Sequence, residues 1–244
     1  MPTKKTVLIT GGSGYIGSNL AAIFAKNNYN IVFSYHNNFP PAAQSIATSL
    51  KDIGTQCMAI KADLSKHDDA KNLVEETLKI FSKIDVLINN AATSANKLIH
   101  SMSEQEWDTV INTDLSGCFW VLKYSAFEMV KQNSGSIINI SSIIALNGAK
   151  GCANYAAAKA GLIALTKTAA RELGENNITV NAVLPGFHLK GLGKDATEKY
   201  AQAAKENSVL KTTTAIDELS KFILLLSESK TVSGQIFNWD SRII

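Results

Sequence analysis

The segment Thr10-Gly11-Gly12-Ser13-Gly14-Tyr15-Ile16-Gly17 follows the first short apolar run of the chain and leads into a stretch with helical spacing. Few architectures place so many glycines where a strand hands over to a helix. The glycines let the backbone turn tightly and approach a neighbouring group, and the free N–H groups at the helix start then hold an anion. Because the turn follows the very first strand of an alternating chain, it reads as a cradle for a dinucleotide pyrophosphate rather than an ordinary βα turn. Gly11, Ser13, Gly14, Tyr15, Ile16 and Gly17 are the residues expected against that nucleotide.

The rest of the chain agrees with this opening. Short apolar, β-branched runs recur at residues 6–10, 30–35, 57–61, 85–89, 136–141, 179–183 and 235–238, with helical spacing between them, as at 70–81 and 104–131. Runs that are apolar throughout predict burial on both faces, and intervening helices predict right-handed crossovers. The expected fold class is α/β, a doubly wound parallel sheet of the Rossmann type. A length of 244 residues, with no repeat or linker, suits a single domain over 1–244. Pro40 and Pro41 open a helix after the second run, where proline is tolerated. Residues 187 to about 214 read as one long irregular stretch, expected to serve as a lid over a site.

Composition excludes several functions. The net charge of +3 is spread along the chain without a Lys/Arg block, which argues against nucleic acid and anionic membrane as partners. Cys57, Cys118 and Cys152 are far apart and form no CxxC pair, so neither a disulfide framework nor a metal site is expected, and a reducing compartment is the natural reading. The apolar run after Lys4 and Lys5 is too short for a signal-peptide core, and no stretch is long and uncharged enough to span a bilayer. A cytoplasmic protein is expected.

The adenosine end of the nucleotide belongs near the end of the second strand, where NAD sites usually carry Asp or Glu. Here the residues are Ser34, Tyr35, His36, Asn37 and Asn38, with no carboxylate. A 2′-phosphate meets no repulsion beside Tyr35 and His36, so NADP(H) is preferred. NAD(H) stays possible, because no Arg or Lys is there to grip a phosphate firmly.

Tyr155 and Lys159 lie four apart in a helical segment, so their side chains share one face. A phenol, with a pKa of about 10, transfers protons poorly near neutrality. A nearby ammonium stabilises phenolate and lowers that value. Ser142, at a strand end, is placed to hydrogen-bond a substrate oxygen. With six tyrosines in a lysine-rich chain, the pair alone proves nothing; its order after the glycine turn and the strand-end serine gives it weight.

Together with Ala62-Asp63-Leu64, Asn89-Asn90-Ala91-Ala92 and Pro185-Gly186, these motifs run in one order from about Thr6 to Asn238. In this the chain resembles the short-chain dehydrogenase/reductase family, and within it the bacterial 3-oxoacyl-[acyl-carrier-protein] reductases. The resemblance implies that Asp63 and Leu64 contact the adenine and that Asn90, Ala91 and Ala92 line a ribose. It further implies that Tyr155 is the general acid in reduction. Lys159 would bind the nicotinamide ribose and lower the Tyr155 pKa, and Ser142 would orient the carbonyl. Pro185, Gly186 and the His188 backbone would flank the nicotinamide. The expected substrate is a small ketone or an acyl thioester, and the expected assembly a homotetramer or homodimer. An NAD-linked alcohol or sugar dehydrogenase, and a nucleotide-sensing binding protein with impaired catalysis, are the alternatives.

Four positions depart from the family pattern. Tyr15 stands where this branch has glycine. Asp114 replaces a catalytic Asn that helps hold a water in a proton relay to the lysine; it is counted with Ser142, Tyr155 and Lys159 as a catalytic residue, either keeping that relay and favouring protonated Lys159 or disturbing it. Lys190 replaces a Thr in the lid. The C-terminal Gly-Gly is absent from Phe237-Asn238-Trp239-Asp240-Ser241.

Overall fold

The computed structural model describes residues 4–36, 40–195 and 198–244; Asn37 and Asn38, assigned above to the adenosine end, lie outside them. Each apolar run forms a strand: β1 Thr6–Ile9, β2 Asn30–Tyr35, β3 Cys57–Lys61, β4 Val86–Asn89, β5 Gly135–Ile140, β6 Ile178–Leu184 and β7 Ile236–Asn238. All pair in parallel in the order β3-β2-β1-β4-β5-β6-β7.

The side chains of β1 show why this sheet is doubly wound. Val7 and Ile9 face a core built with Leu20 and Phe24 of α1 (Tyr15–Lys26) and Leu219 and Ile223 of α9 (Ile216–Glu228). Leu8, between them, faces the opposite core. That core is built with Leu73 of α3 (His67–Phe81), Val121 and Met129 of α5 (Cys118–Gln132) and Ala169 of α7 (Ala153–Leu173). Period-two alternation thus serves two apolar layers at once, and the strand is buried at every position. The remaining helices are α2 Pro40–Asp52, α4 Glu104–Ile111, α6 Ile144–Asn147 and α8 Glu198–Glu206.

Two expectations need correction. The segment 104–131 is not one helix: α4 and α5 are joined by a π-helical turn, Asn112–Gly117. Asn, Thr, Asp, Ser and Gly are weak helix formers. At Gly117 the chain also comes so close to the β3–α3 connection that an added Cβ would stand 2.3 Å from the Leu64 carbonyl oxygen. Residues 187–214 are not wholly irregular either, since Gly191–Asp195 forms a 3₁₀ turn and α8 follows.

The strand order reverses at β1, which lies between β2 and β4. In such sheets the crevice beyond the carboxyl ends of the strands at this switch point is where ligands bind. Among the described residues no helix is long and apolar enough to cross a membrane.

Candidate active site

A cleft of about 1350 Å³ opens at that place. Its floor is the glycine turn. Gly11 holds φ +63°, and its N–H donates to the Ser34 hydroxyl. Thr10 locks the other side, its hydroxyl oxygen accepting from the N–H groups of Asn90 and Ala91 at 2.9 Å each. The Asn90 amide returns a hydrogen bond to the Thr10 carbonyl at 2.9 Å. These hydroxyl clamps fix the spacing of β1, β2 and β4 at the cleft, and the sequence reading passed over them.

The turn fits a pyrophosphate. No side chain caps α1 and no acidic residue lies in its first turn, so its N-terminal N–H groups and positive dipole end face the cleft unopposed. Gly17 lies behind this surface rather than lining it. A Cβ there would stand 2.5 Å from the Gly11 carbonyl oxygen, so its role is to let α1 seat against the turn.

Ser13, Gly14, Tyr15, Ile16, Tyr35, His36, Asp63, Leu64, Asn90, Ala91 and Ala92 all line the cleft. Asp63 does not cap a helix. Its carboxylate accepts from the Ser65 N–H and hydroxyl and lies 3.9 Å from His36 and 3.6 Å from Lys66. Partial burial pushes this carboxyl up, but those hydrogen bonds and cations outweigh it and hold the group below the ordinary aspartate value.

Tyr155, Lys159 and Ser142 meet deeper in the cleft. Asn154, fully buried, anchors the start of α7 by donating to the carbonyls of Ala95 and Glu106, both at 3.0 Å. One turn on, the Lys159 ammonium lies 5.5 Å from the centre of the Tyr155 ring and donates to the Ile140 carbonyl at 3.2 Å. Ser142 lines the same part of the cleft and accepts from the Ile144 N–H at 3.2 Å.

The electrostatics differ from the simple expectation for a Tyr/Lys pair. Burial raises the Tyr155 phenol, Lys159 lowers it as expected, Asp114 raises it again, and the net direction is upward. Asp114 does not line the cleft. The π turn rolls it inward, completely buried, where one carboxylate oxygen accepts from the Thr93 N–H at 2.8 Å and the other lies 3.5 Å from Lys159. Burial pushes the Asp114 carboxyl up, against Lys159 and Thr93. Burial also depresses Lys159, but Asp114 and Tyr155 more than restore it and hold it above an ordinary lysine.

The far wall is the segment after β6. Pro185, Gly186 and His188 line it, with Lys190 beyond. Burial holds His188 below the ordinary histidine value, and its Nε2–H donates to the Pro185 carbonyl at 3.0 Å. Tyr15 reaches across to this wall: its ring meets His188 edge-on at 5.6 Å, and the Lys190 ammonium lies 5.4 Å from its centre. At the C-terminus, Trp239 stacks on Phe222 of α9 at 4.3 Å. Among the described residues no cluster of His, Cys, Asp or Glu could hold a metal ion.

Comparison with known proteins agrees with this geometry. The short chain dehydrogenase family model matches residues 5–209. The chain is 37% identical over 234 residues to 3-oxoacyl-[acyl-carrier-protein] reductase FabG of Staphylococcus epidermidis, covering 95% of this chain and 96% of that one. It is 40% identical over 206 residues to the protein of the same name from Staphylococcus aureus, covering 84% and 82%. To that of Chlamydia trachomatis it is 36% identical over 240 residues, covering 97% and 96%. A parallel sheet with a glycine cradle at its switch point, a Tyr/Lys pair beside it and a match of this extent place the chain in the short chain dehydrogenase family, as an NAD(P)-dependent oxidoreductase acting on CH–OH/C=O groups.

Proposed function

We propose that the protein reduces a 3-oxoacyl thioester, or a similar ketone, to the 3-hydroxy product with NADPH. The observation that carries this reading is the meeting of Ser142, Tyr155 and Lys159 in one cleft with the glycine turn. The names of the similar proteins support the substrate class. Residues 1–244 act as one oxidoreductase domain in this reading.

When bound, the reduced nicotinamide supplies the hydride that the carbonyl carbon accepts. The chain's residues do the rest. Ser142 and Tyr155 donate hydrogen bonds to the carbonyl oxygen, and Tyr155 delivers the proton that makes it a hydroxyl. Lys159, held as ammonium, stabilises the phenolate left behind until solvent reprotonates it. Gly11, Ser13, Gly14, Tyr15 and Ile16 form the pyrophosphate cradle, and Gly17 seats α1 behind it. Asn90, Ala91, Ala92 and Lys159 hold the riboses, Asp63 and Leu64 the adenine, and Pro185, Gly186 and His188 the nicotinamide. His36 and Tyr35, with no acid at the end of β2, favour the 2′-phosphate of NADPH over NADH. Exposed Phe119, Phe127 and Val130 on α5 support a homo-oligomer of two or four chains, working in the cytoplasm.

The test follows nicotinamide absorbance with NADPH or NADH and an acetoacetyl thioester. NADPH is consumed faster than NADH, and Tyr155→Phe lowers turnover by at least about a hundredfold, the lower range for a positioned general acid, with NADPH affinity little changed. Full turnover in Tyr155→Phe would overturn the mechanism, and faster consumption of NADH would overturn the cofactor preference.

A further inference from the structure

We propose that Asp114, acting through Lys159, extends upward the pH range over which Tyr155 keeps its proton and so favours carbonyl reduction over alcohol oxidation at this site. The proposal rests on the reading of Tyr155 as proton donor and makes Asp114 a positioning residue, since it does not face the cleft.

The geometry reserves one carboxylate oxygen for this purpose. Oδ1 is taken by the Thr93 N–H, as an amide oxygen would be. Oδ2 is buried, has no hydrogen-bond partner and lies 3.5 Å from the Lys159 ammonium. An Asn here could keep the first contact but would bring no charge to the second. The pattern that the chain resembles has Asn at this place, so the carboxylate is an addition to a working arrangement.

The consequence follows from charge. A lone ammonium beside a phenol favours phenolate. An ammonium already neutralised by a carboxylate presents the phenol with a dipole, and favours phenolate less. The other titratable or polar groups facing Tyr155 do not supply this charge. Ser142 is a neutral donor, and Cys152 and the buried Cys118 of α5 are thiols raised by burial. Glu104 and Asp108 of α4 and Lys150 line the same cleft, but none of them acts on the phenol as Lys159 and Asp114 do. Reduction needs the proton on Tyr155 and oxidation needs it off, so the carboxylate assists one direction and hinders the other.

The experiment compares the native enzyme with Asp114→Asn. In the ligand-free protein, phenolate absorbance is titrated, and the Tyr155 contribution is obtained by subtracting Tyr155→Phe on each background. The phenol ionises at least about one pH unit lower in Asp114→Asn, a tenfold change in its ionisation constant. The alkaline fall in reductive kcat and the alkaline rise in oxidative kcat move down by the same amount. Coincident titrations in the two proteins overturn the proposal, whatever the turnover. Failure of the native enzyme to reduce any ketone would count against the proposed function, while the ligand-free titration would still decide the role of Asp114. Should Asp114→Asn not accumulate as folded protein, Asp114→Ser removes the same charge and is read identically.

Discussion

Replacing Lys159 with Met keeps the aliphatic stem and deletes the charge, which makes the Lys159–Asp114 pair measurable as stability. At 3.5 Å, with an effective dielectric of about 20, the attraction is about 5 kcal/mol. Burying the two ions costs several kcal/mol each, so the intact pair contributes little net stability. Removing one partner is different, because it strands a buried carboxylate whose Oδ2 has no hydrogen-bond donor. The expected loss is about 3–5 kcal/mol in urea unfolding at neutral pH, read from far-ultraviolet circular dichroism. In Lys159→Met, Asp114 escapes part of this by staying protonated. Its pKa in the folded protein then exceeds the unfolded value of about 4, so the folded state holds one more proton across that interval. Stability therefore falls as pH rises through it. The cost is largest at neutral pH and shrinks towards about pH 4. Adding Asp114→Asn to Lys159→Met removes the stranded charge, and the double variant recovers about 1–3 kcal/mol of coupling relative to the sum of the singles. A loss below about 1 kcal/mol, which is within the range of exposed pairs, or strictly additive singles, would show that the two charges do not hold each other in the folded protein.

Two further outcomes test the cleft and its surroundings. Gly17→Ala places a methyl 2.5 Å from the Gly11 carbonyl oxygen and 2.6 Å from the Gly12 Cα. Overpacking of this kind costs about 1–3 kcal/mol, so NADPH affinity measured by fluorescence titration falls about tenfold or more, and unchanged affinity would show that Gly17 does not support the cradle. In the folded protein a small maleimide modifies Cys152 alone, and slowly, because burial raises its thiol. Burial pushes Cys57 up to about 11 and Cys118 up to about 12, and both side chains are shielded. Peptide mass spectrometry finding label on Cys57 or Cys118 before Cys152 would refute that burial order.

Sequence patterns exposed those parts of the molecule whose causes are local. The strands were legible because each is an apolar run bounded by turn-forming residues. The Tyr155/Lys159 face was legible because four residues make about one helical turn. The glycine turn was legible because few other residues could occupy it. What escaped depends on neighbours distant in sequence. Residues 112–117 carry weak helix formers, but a π turn rather than a break results because Asp114 has both the Thr93 N–H and Lys159 to reach. Helix α8 is made of residues that favour helices, yet it follows Gly191 and Gly193 and lacks a broad apolar stripe, so the whole segment looked irregular. The clamps made by Thr10 and Ser34 need the register of three strands before either hydroxyl has a partner.

The same dependence on tertiary neighbours joins two departures from the family pattern that look unrelated in the sequence. Tyr15 stands in the glycine turn where the resemblance implies glycine, and Lys190 stands in the segment after β6 where it implies threonine. In the folded chain the Lys190 ammonium lies 5.4 Å from the centre of the Tyr15 ring, and the Gly191 backbone passes so close that an added Cβ would stand 3.3 Å from Tyr15 Cβ. A cation at that distance from an aromatic ring gains about 0.5–1 kcal/mol at an exposed site. His188 meets the same ring by its edge, so the segment after β6 rests on Tyr15 through a cation, an aromatic edge and a bare backbone. A side chain that would crowd the turn if it stood alone thus becomes the surface on which the segment after β6 is seated. The glycine at 191 is required by that close approach and by its φ of +65°. Tyr15, His188, Lys190 and Gly191 therefore form one structural unit, and a change at any of them is felt by both the floor and the far wall of the cleft.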